Sequence, residues 1–135
     1  MIKNLFVFFI TAMILAGCKN NNLEIKGKLA NPANGKYIYL DELKSNDLIP
    51  VDSVIVSKDG TFSFSRRIEF PSFYLLRSDV TNFLTMLLEP DQKIEMKADF
   101  DSLNYPTFIS GSKGTELMIE YNIKLQQTIK QLSDK

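Results

Sequence analysis

The sequence predicts a mainly β protein, an antiparallel β-sandwich or partly open barrel of about eight strands with one C-terminal helix. Apolar and polar residues alternate with a period of two through most of the chain, as in strands that bury one face. Clusters of Asn, Pro, Gly and Asp interrupt the alternation at roughly 8 to 12 residue intervals, the spacing of short strands joined by turns. From Gly114 onward the apolar spacing lengthens to that of a helix.

The first strand is LEIKGKL, in which Leu23, Ile25 and Leu29 alternate with Glu24, Lys26 and Lys28. NPANG at 31–35 is turn chemistry and KYIYL follows, so these two segments are expected to pair as a hairpin. Asp41 to Pro50 reads as a polar loop. VDSVIV at 51–56 is β-branched, and Ser57-Lys58-Asp59-Gly60 supplies a tight turn into TFSFSR, a second expected hairpin with Phe62 and Phe64 on one face. SFYLLR follows Pro71. FLTMLL at 83–88 is apolar at both parities and is expected at the centre of a sheet. Glu89-Pro90-Asp91 then turns the chain into KIEMKA, and Thr107 to Ser110 is a last short strand.

In TELMIEYNIKLQQTIKQL, Leu117, Tyr121, Leu125, Ile129 and Leu132 recur at helical spacing with Met118 beside them. Glu116 falls in the first turn, where the helix dipole favours a negative charge. This helix, from about Thr115 to Leu132, has one apolar stripe, and the stripe is expected to be covered by the sheet or by another chain.

The N-terminus has a different character. Lys3 gives a short positive start, and LFVFFITAMILA from Leu5 to Ala16 is almost wholly apolar, ending in small residues, the layout of a bacterial secretory signal. The run is too short for a transmembrane helix, which needs ~20 residues. Leu15-Ala16-Gly17-Cys18 resembles the lipobox of bacterial lipoproteins, which implies cleavage before Cys18 and acylation, palmitate included, of its sulfur. The expected organisation is then a signal peptide at 1–17, a lipidated tether at 18–22, a β-sandwich-like domain at 23–112 and an amphipathic helix at 113–135. Without Lys3 the remainder carries 15 basic and 16 acidic residues, a balance that gives no reason to expect nucleic acid.

A broader resemblance covers the chain from about Leu23 to about Asn122. The lipobox, the opening I25-K-G-K, the K-Y-I-Y-L strand, D52-S-V-I-V-S-K-D-G-T-F-S-F, L88-E-P-D-Q-K-I-E and S110-G-S-K-G-T-E resemble an uncharacterised domain of unknown function. That domain precedes the thioredoxin-like domain of lipid-anchored thiol:disulfide oxidoreductases of diderm bacteria, the alkyl hydroperoxide reductase and thiol-specific antioxidant-like lipoproteins. Redox members carry a W-C-x-x-C pair on the downstream domain, whereas this chain has one cysteine and no tryptophan. The resemblance implies either a natural stand-alone version or a truncated oxidoreductase.

Other chemistry in the residues is sparse. Asp99-Phe100-Asp101 with Asn104 has a D-x-D spacing but lacks the glycine and distal glutamate of a calcium loop, so a solvated turn and no metal is expected. Ser110-x-x-Lys113 matches an acyl-transfer spacing that requires both groups on one helix face; here the segment is glycine-flanked. Arg66-Arg67 with Arg77 reads as a solvated basic face. Phe70, Phe73 and Tyr74 around Pro71 read as core packing rather than as an aromatic platform. Asp41 and Glu42 would point apart on a strand. With no histidine in the chain, acid-base work at neutral pH would need a strongly shifted carboxylate or lysine. The expectation is a non-enzymatic module with no cofactor and no catalytic, cofactor-binding or metal-binding residue, its one modified position being Cys18. It is anchored by its lipid, on the periplasmic face of the outer membrane. Its expected partners are the membrane and a thioredoxin-like domain or protein, with homodimerisation a further role; the alternative is a stand-alone lipoprotein that binds a glycan or peptide.

Overall fold

The computed structural model describes residues 20–31 and 35–135. In chain order the elements are β1 (Asn22–Ala30), β2 (Tyr37–Lys44), β3 (Asp47–Ile55), β4 (Thr61–Arg67), β5 (Ser72–Arg77), β6 (Phe83–Leu88), β7 (Lys93–Asp99), β8 (Phe108–Ser110) and α1 (Lys113–Ser133). The strands form two four-stranded sheets, ordered β4-β1-β7-β8 and β3-β2-β5-β6. The molecule is therefore a sandwich and not a closed barrel. Every pairing is antiparallel except β1 with β7, which runs parallel.

The period-two alternation supplies the core. Leu23, Ile25 and Leu29 of β1, Phe62 and Phe64 of β4, and Ile94, Met96 and Ala98 of β7 point inward from one sheet. Ile38 and Leu40, Tyr74 and Leu76, and Leu84, Met86 and Leu88 meet them from the other. Gly27 occupies an inward position opposite Phe62, and a side chain there would collide with the Phe62 ring. The missing Cβ gives the ring its place, which explains the glycine in an otherwise regular strand.

Three connections differ from the expectation. β1 and β2 are not a hairpin: they lie in different sheets, because each must present its apolar face to the other across the core. The Ser57–Gly60 turn likewise carries the chain from one sheet to the other. The tight turn is present, with Ser57 N–H donating to the Thr61 carbonyl at 3.1 Å, but β3 and β4 diverge after it. The hairpin lies instead in the stretch that reads as a polar loop, between β2 and β3, where Leu43 opposes Leu48 and Ser45 turns the chain with φ 48°.

β6 is an edge strand and not a central one. Its outward apolar parity is explained by α1, whose first turn covers that edge. Thr115 Oγ1 accepts from Leu87 N–H at 3.0 Å, and Ser112 Oγ donates to the Leu87 carbonyl at 2.8 Å. Two backbone groups that an open edge would leave to pair with another chain are thus satisfied by side chains. Ser112 also caps the helix by accepting from Thr115 N–H. Gly114 makes the close approach possible, since a Cβ there would stand 2.6 Å from Leu87 Cδ2.

The sandwich has two distinct ends. At the leading end β1 begins, with Asn22 beside Arg67, and there β4 passes into β5 and β6 into β7. From that end α1 runs back along β6 towards Thr81 and Tyr105 at the far end, packing through Thr115, Met118 and Ile119. Every residue from Glu120 onward is exposed. The last ten helical residues, rising ~1.5 Å each, carry α1 about 15 Å further.

Candidate functional site

The outer face of the β3-β2-β5-β6 sheet is where side chains collect that the core does not use. Cross-strand pairing aligns Leu48, Leu43, Phe73 and Leu87 in one row across all four strands. The next rows are Pro50, Asp41, Leu75 and Thr85, then Ser53, Tyr39, Arg77 and Phe83. Leu43, Leu48, Phe73 and Phe83 are all exposed. Leu87 ends the first row against Gly114, and Leu117, Tyr121, Leu125 and Leu132 continue along α1 on the same side of the helix. Sheet and helix thus share one apolar surface.

Within that surface lies one buried charge. Asp41 is 2% exposed although it points outward, flanked by Tyr39, Arg77 and Pro50, and β3 bulges opposite it: the register moves from Leu40–Asp52 to Asp41–Pro50, leaving Val51 without a partner. An isolated buried carboxylate is costly, and Arg77 supplies the compensation, its Nε donating to Asp41 Oδ2. The guanidinium lies 4.6 Å from the Tyr39 ring centroid, and Tyr37 stacks on Tyr39 at 6.0 Å. Tyr39, Asp41, Pro50, Val51, Asp52, Ser53 and Arg77 line a shallow depression of about 410 Å³. A second cleft, about 210 Å³, separates α1 from β6, between Phe83, Thr85 and Tyr105 on one side and Met118, Asn122 and Ile123 on the other.

The sequence-derived candidates fall as follows. Cys18 lies outside the described residues. Arg77 does not join Arg66 and Arg67: it sits in the other sheet and is held by Asp41, so the reading of all three as a solvated basic face holds only for Arg66 and Arg67. Tyr74 is core, but Phe70 and Phe73 are exposed, contrary to the expectation that all three pack inside. Burial raises the Tyr74 phenol above its ordinary 10.0, with Glu42 adding to the shift and Arg66 opposing it. Asp41 and Glu42 do point apart, to opposite faces of β2. Asp99 takes the Asp101 N–H and the Asn31 amide on its two oxygens, a self-satisfied turn, and no group of three potential metal ligands occurs among the described residues. Ser110 ends β8 while Lys113 opens α1, so the two do not share a helix face.

The helix stripe, expected to be covered by the sheet or by another chain, is not covered by the sheet. Leu117, Tyr121, Leu125, Ile129 and Leu132 are exposed, Leu125 by 41% and Leu132 by 68%. The sheet is contacted instead by residues a quarter-turn away, Thr115, Met118 and Ile119. Sequence reasoning missed the Asp41–Arg77 pair because only the β2–β5 register brings the two together.

Two stacked four-stranded sheets with a helix docked along one edge define a β-sandwich. The chain belongs to the family described as a domain of unknown function, DUF4369, whose pattern matches residues 23–118. The matched region runs from the second residue of β1 to the part of α1 that touches the sheet. No curated protein and no solved structure matches the chain.

Proposed function

We propose that the protein is a lipid-anchored, non-catalytic accessory module, held at Cys18 on the periplasmic face of the outer membrane, that positions a thioredoxin-like domain. The observation that carries this reading is the continuous apolar surface formed by the Leu48-Leu43-Phe73-Leu87 row and the open stripe of α1. An exposed surface of that extent is a mark of a partner site. The direction of α1 adds support, since it starts at the leading end, beside the tether, and carries its stripe to the opposite end of the domain. A partner that also seats on the last turns of α1 extends away from the bilayer, whereas the Leu48-Leu43-Phe73-Leu87 row lies at the leading end. The chemistry belongs to the partner: disulfide exchange needs a free thiolate, and the one cysteine is committed to a thioether on this reading.

The test is nuclear magnetic resonance titration of the labelled chain with a thioredoxin-like domain from a lipid-anchored oxidoreductase. Shifts confined to Leu43, Phe73, Leu87 and the α1 stripe are expected, and their absence at millimolar partner overturns the reading. In the same preparation, insulin reduction by the chain alone should stay at the buffer rate. Mass spectrometry of the cell-derived protein should find an acylated Cys18 as its first residue, and Cys18→Ala should leave an uncut precursor. The depression beside Tyr39 and Arg77 favours a second reading, capture of a glycan or peptide, for which shifts confined to Tyr39, Ser53 and Arg77 on adding such a ligand would speak.

A further inference from the structure

We infer that the leading end of the sandwich is a membrane-contact face, on which Phe70, Arg66 and Arg67 meet the surface of an anionic phospholipid bilayer. This rests on the reading of Cys18 as the lipid anchor, and adds to it an orientation and a set of contacts.

The geometry starts from the tether. Asn22 is four residues from Cys18, a reach of about 14 Å at ~3.5 Å per residue. Asn22 pairs with Arg67, and the Asn21 carbonyl accepts from Ile68 N–H at 3.0 Å, so the start of the domain and the 66–70 segment form one hydrogen-bonded unit. Whatever holds Cys18 in a membrane therefore holds this segment close to it. Phe70 stands 75% exposed at the tip of this segment, preceding Pro71.

The charges around Phe70 are uneven. Lys44, Arg66, Arg67, Glu69 and Phe70 border a shallow cleft of about 400 Å³. Glu42, also on this cleft, is taken by Lys44 at 3.4 Å. Neither Arg66 nor Arg67 has an ion-pair partner among the described residues, and Glu69 is the one remaining acid of the cleft. Arg66 shares the inward parity of Phe62 and Phe64 but emerges at the mouth between the sheets, while Arg67 points outward, so the two guanidinium groups straddle the strand end. Glu89 and Asp91 lie in the β6–β7 turn, on the other side of β1, near Lys93 at the start of β7 and Lys113 at the start of α1, while Asp47 opens β3 on the Phe70 side. Both halves of the end carry acids and bases, and what sets the Phe70 side apart is an exposed aromatic tip flanked by two arginines without an ion-pair partner among the described residues. An anionic surface draws the two arginines towards it, and Phe70 beside them then enters the interface. Each basic residue near such a surface favours contact roughly fivefold.

The chain has no tryptophan, so Phe70→Trp introduces a single fluorophore at the proposed contact. The full lipidated chain carrying this substitution is incorporated into phosphatidylglycerol-rich vesicles whose acyl chains are brominated near the headgroup. Indole fluorescence from position 70 should shift to the blue and be quenched, and the same probe at the far end, Val80→Trp, should not be. Adding Arg66→Glu and Arg67→Glu to Phe70→Trp should reduce the quenching severalfold, and raising the salt should do the same. Protein that floats with the vesicles but shows an unquenched, red-shifted indole at position 70 overturns the contact face and leaves the anchor intact. Protein that stays in solution overturns both. Equal quenching at positions 70 and 80 also overturns the contact face, because the domain would then lie without preferred orientation.

Discussion

The Arg77 guanidinium reaches diagonally across the β2–β5 pair to the buried carboxylate of Asp41, with the Tyr39 ring beneath it. Removing the cation while keeping the volume, Arg77→Met, leaves a buried charge without a partner and should cost about 3 to 5 kcal/mol in denaturant unfolding. The double change Asp41→Leu with Arg77→Met should restore most of that loss, because the cost lies in the stranded charge. A double variant no more stable than the single one would show that the bulged strand itself depends on the carboxylate.

Asn82 ties the β5–β6 hairpin to the turn after β7. Its Nδ2 donates to the Phe100 carbonyl at 2.7 Å, and its Oδ1 accepts from Leu103 N–H at 2.8 Å. Leu103 is buried, so Asn82→Ala strands backbone groups that water does not readily reach. A loss of about 2 to 3 kcal/mol is expected, together with faster amide exchange at Leu103. Unchanged exchange at that amide would mean that the link is not made in solution.

The two ends of α1 should respond in opposite ways. Thr115→Val keeps the shape but removes the hydroxyl that serves Leu87, and should cost about 1 to 3 kcal/mol while opening the β6 edge. Leu125→Asp lies on the exposed stripe and should change the melting free energy by less than about 1 kcal/mol. Thermal melting of both compares them directly. A large loss at Leu125 would mean that the stripe is covered in solution.

Asp59 should titrate far below an ordinary carboxylate. The Ser57 hydroxyl, then the Thr61 hydroxyl and N–H, hold it at about 2 against an ordinary 3.8. Because the folded value is depressed, the turn gains from ionisation above about pH 4 and loses that gain as the pH falls through 2. Carboxyl-carbon titration by nuclear magnetic resonance should give a midpoint near 2, moving up towards 3.8 in Ser57→Ala. A wild-type midpoint near 3.8 would show the turn to be open.

Most strands are legible because one buried face leaves a period-two trace: Leu23 and Ile25, Phe62 and Phe64, and Ile94 and Met96 mark their strands without help from the rest of the chain. What the trace does not carry is which strand lies beside which. Asn-Pro-Ala-Asn-Gly and Ser-Lys-Asp-Gly look like hairpin turns, yet a turn that crosses between sheets uses the same residues as one that folds a strand back on its neighbour. Leu43 and Leu48 are hidden in a stretch that reads as polar, where their pairing across Ser45 and Asn46 is the relevant fact. FLTMLL reads as central on its two apolar faces, and the structure meets that requirement with a helix. The candidate surface is the least legible part. Its exposed residues carry no periodic signature of exposure, and the Asp41–Arg77 pair exists only once β5 lies along β2.

The parallel pairing of β1 with β7 bears on the order in which the molecule assembles. Glu24 and Lys93, matched across that pair, are 69 residues apart in the chain. The β2–β3 and β5–β6 hairpins close across short loops, whereas closing so long a loop has an entropic cost that slows folding. β4 reaches β1 sooner, but β1 is an internal strand and keeps one side unpaired until β7 has been made. β1, the earliest strand of the sandwich in chain order, is therefore among the last to be secured, and during that interval its open backbone edge is the segment most in need of protection from other chains.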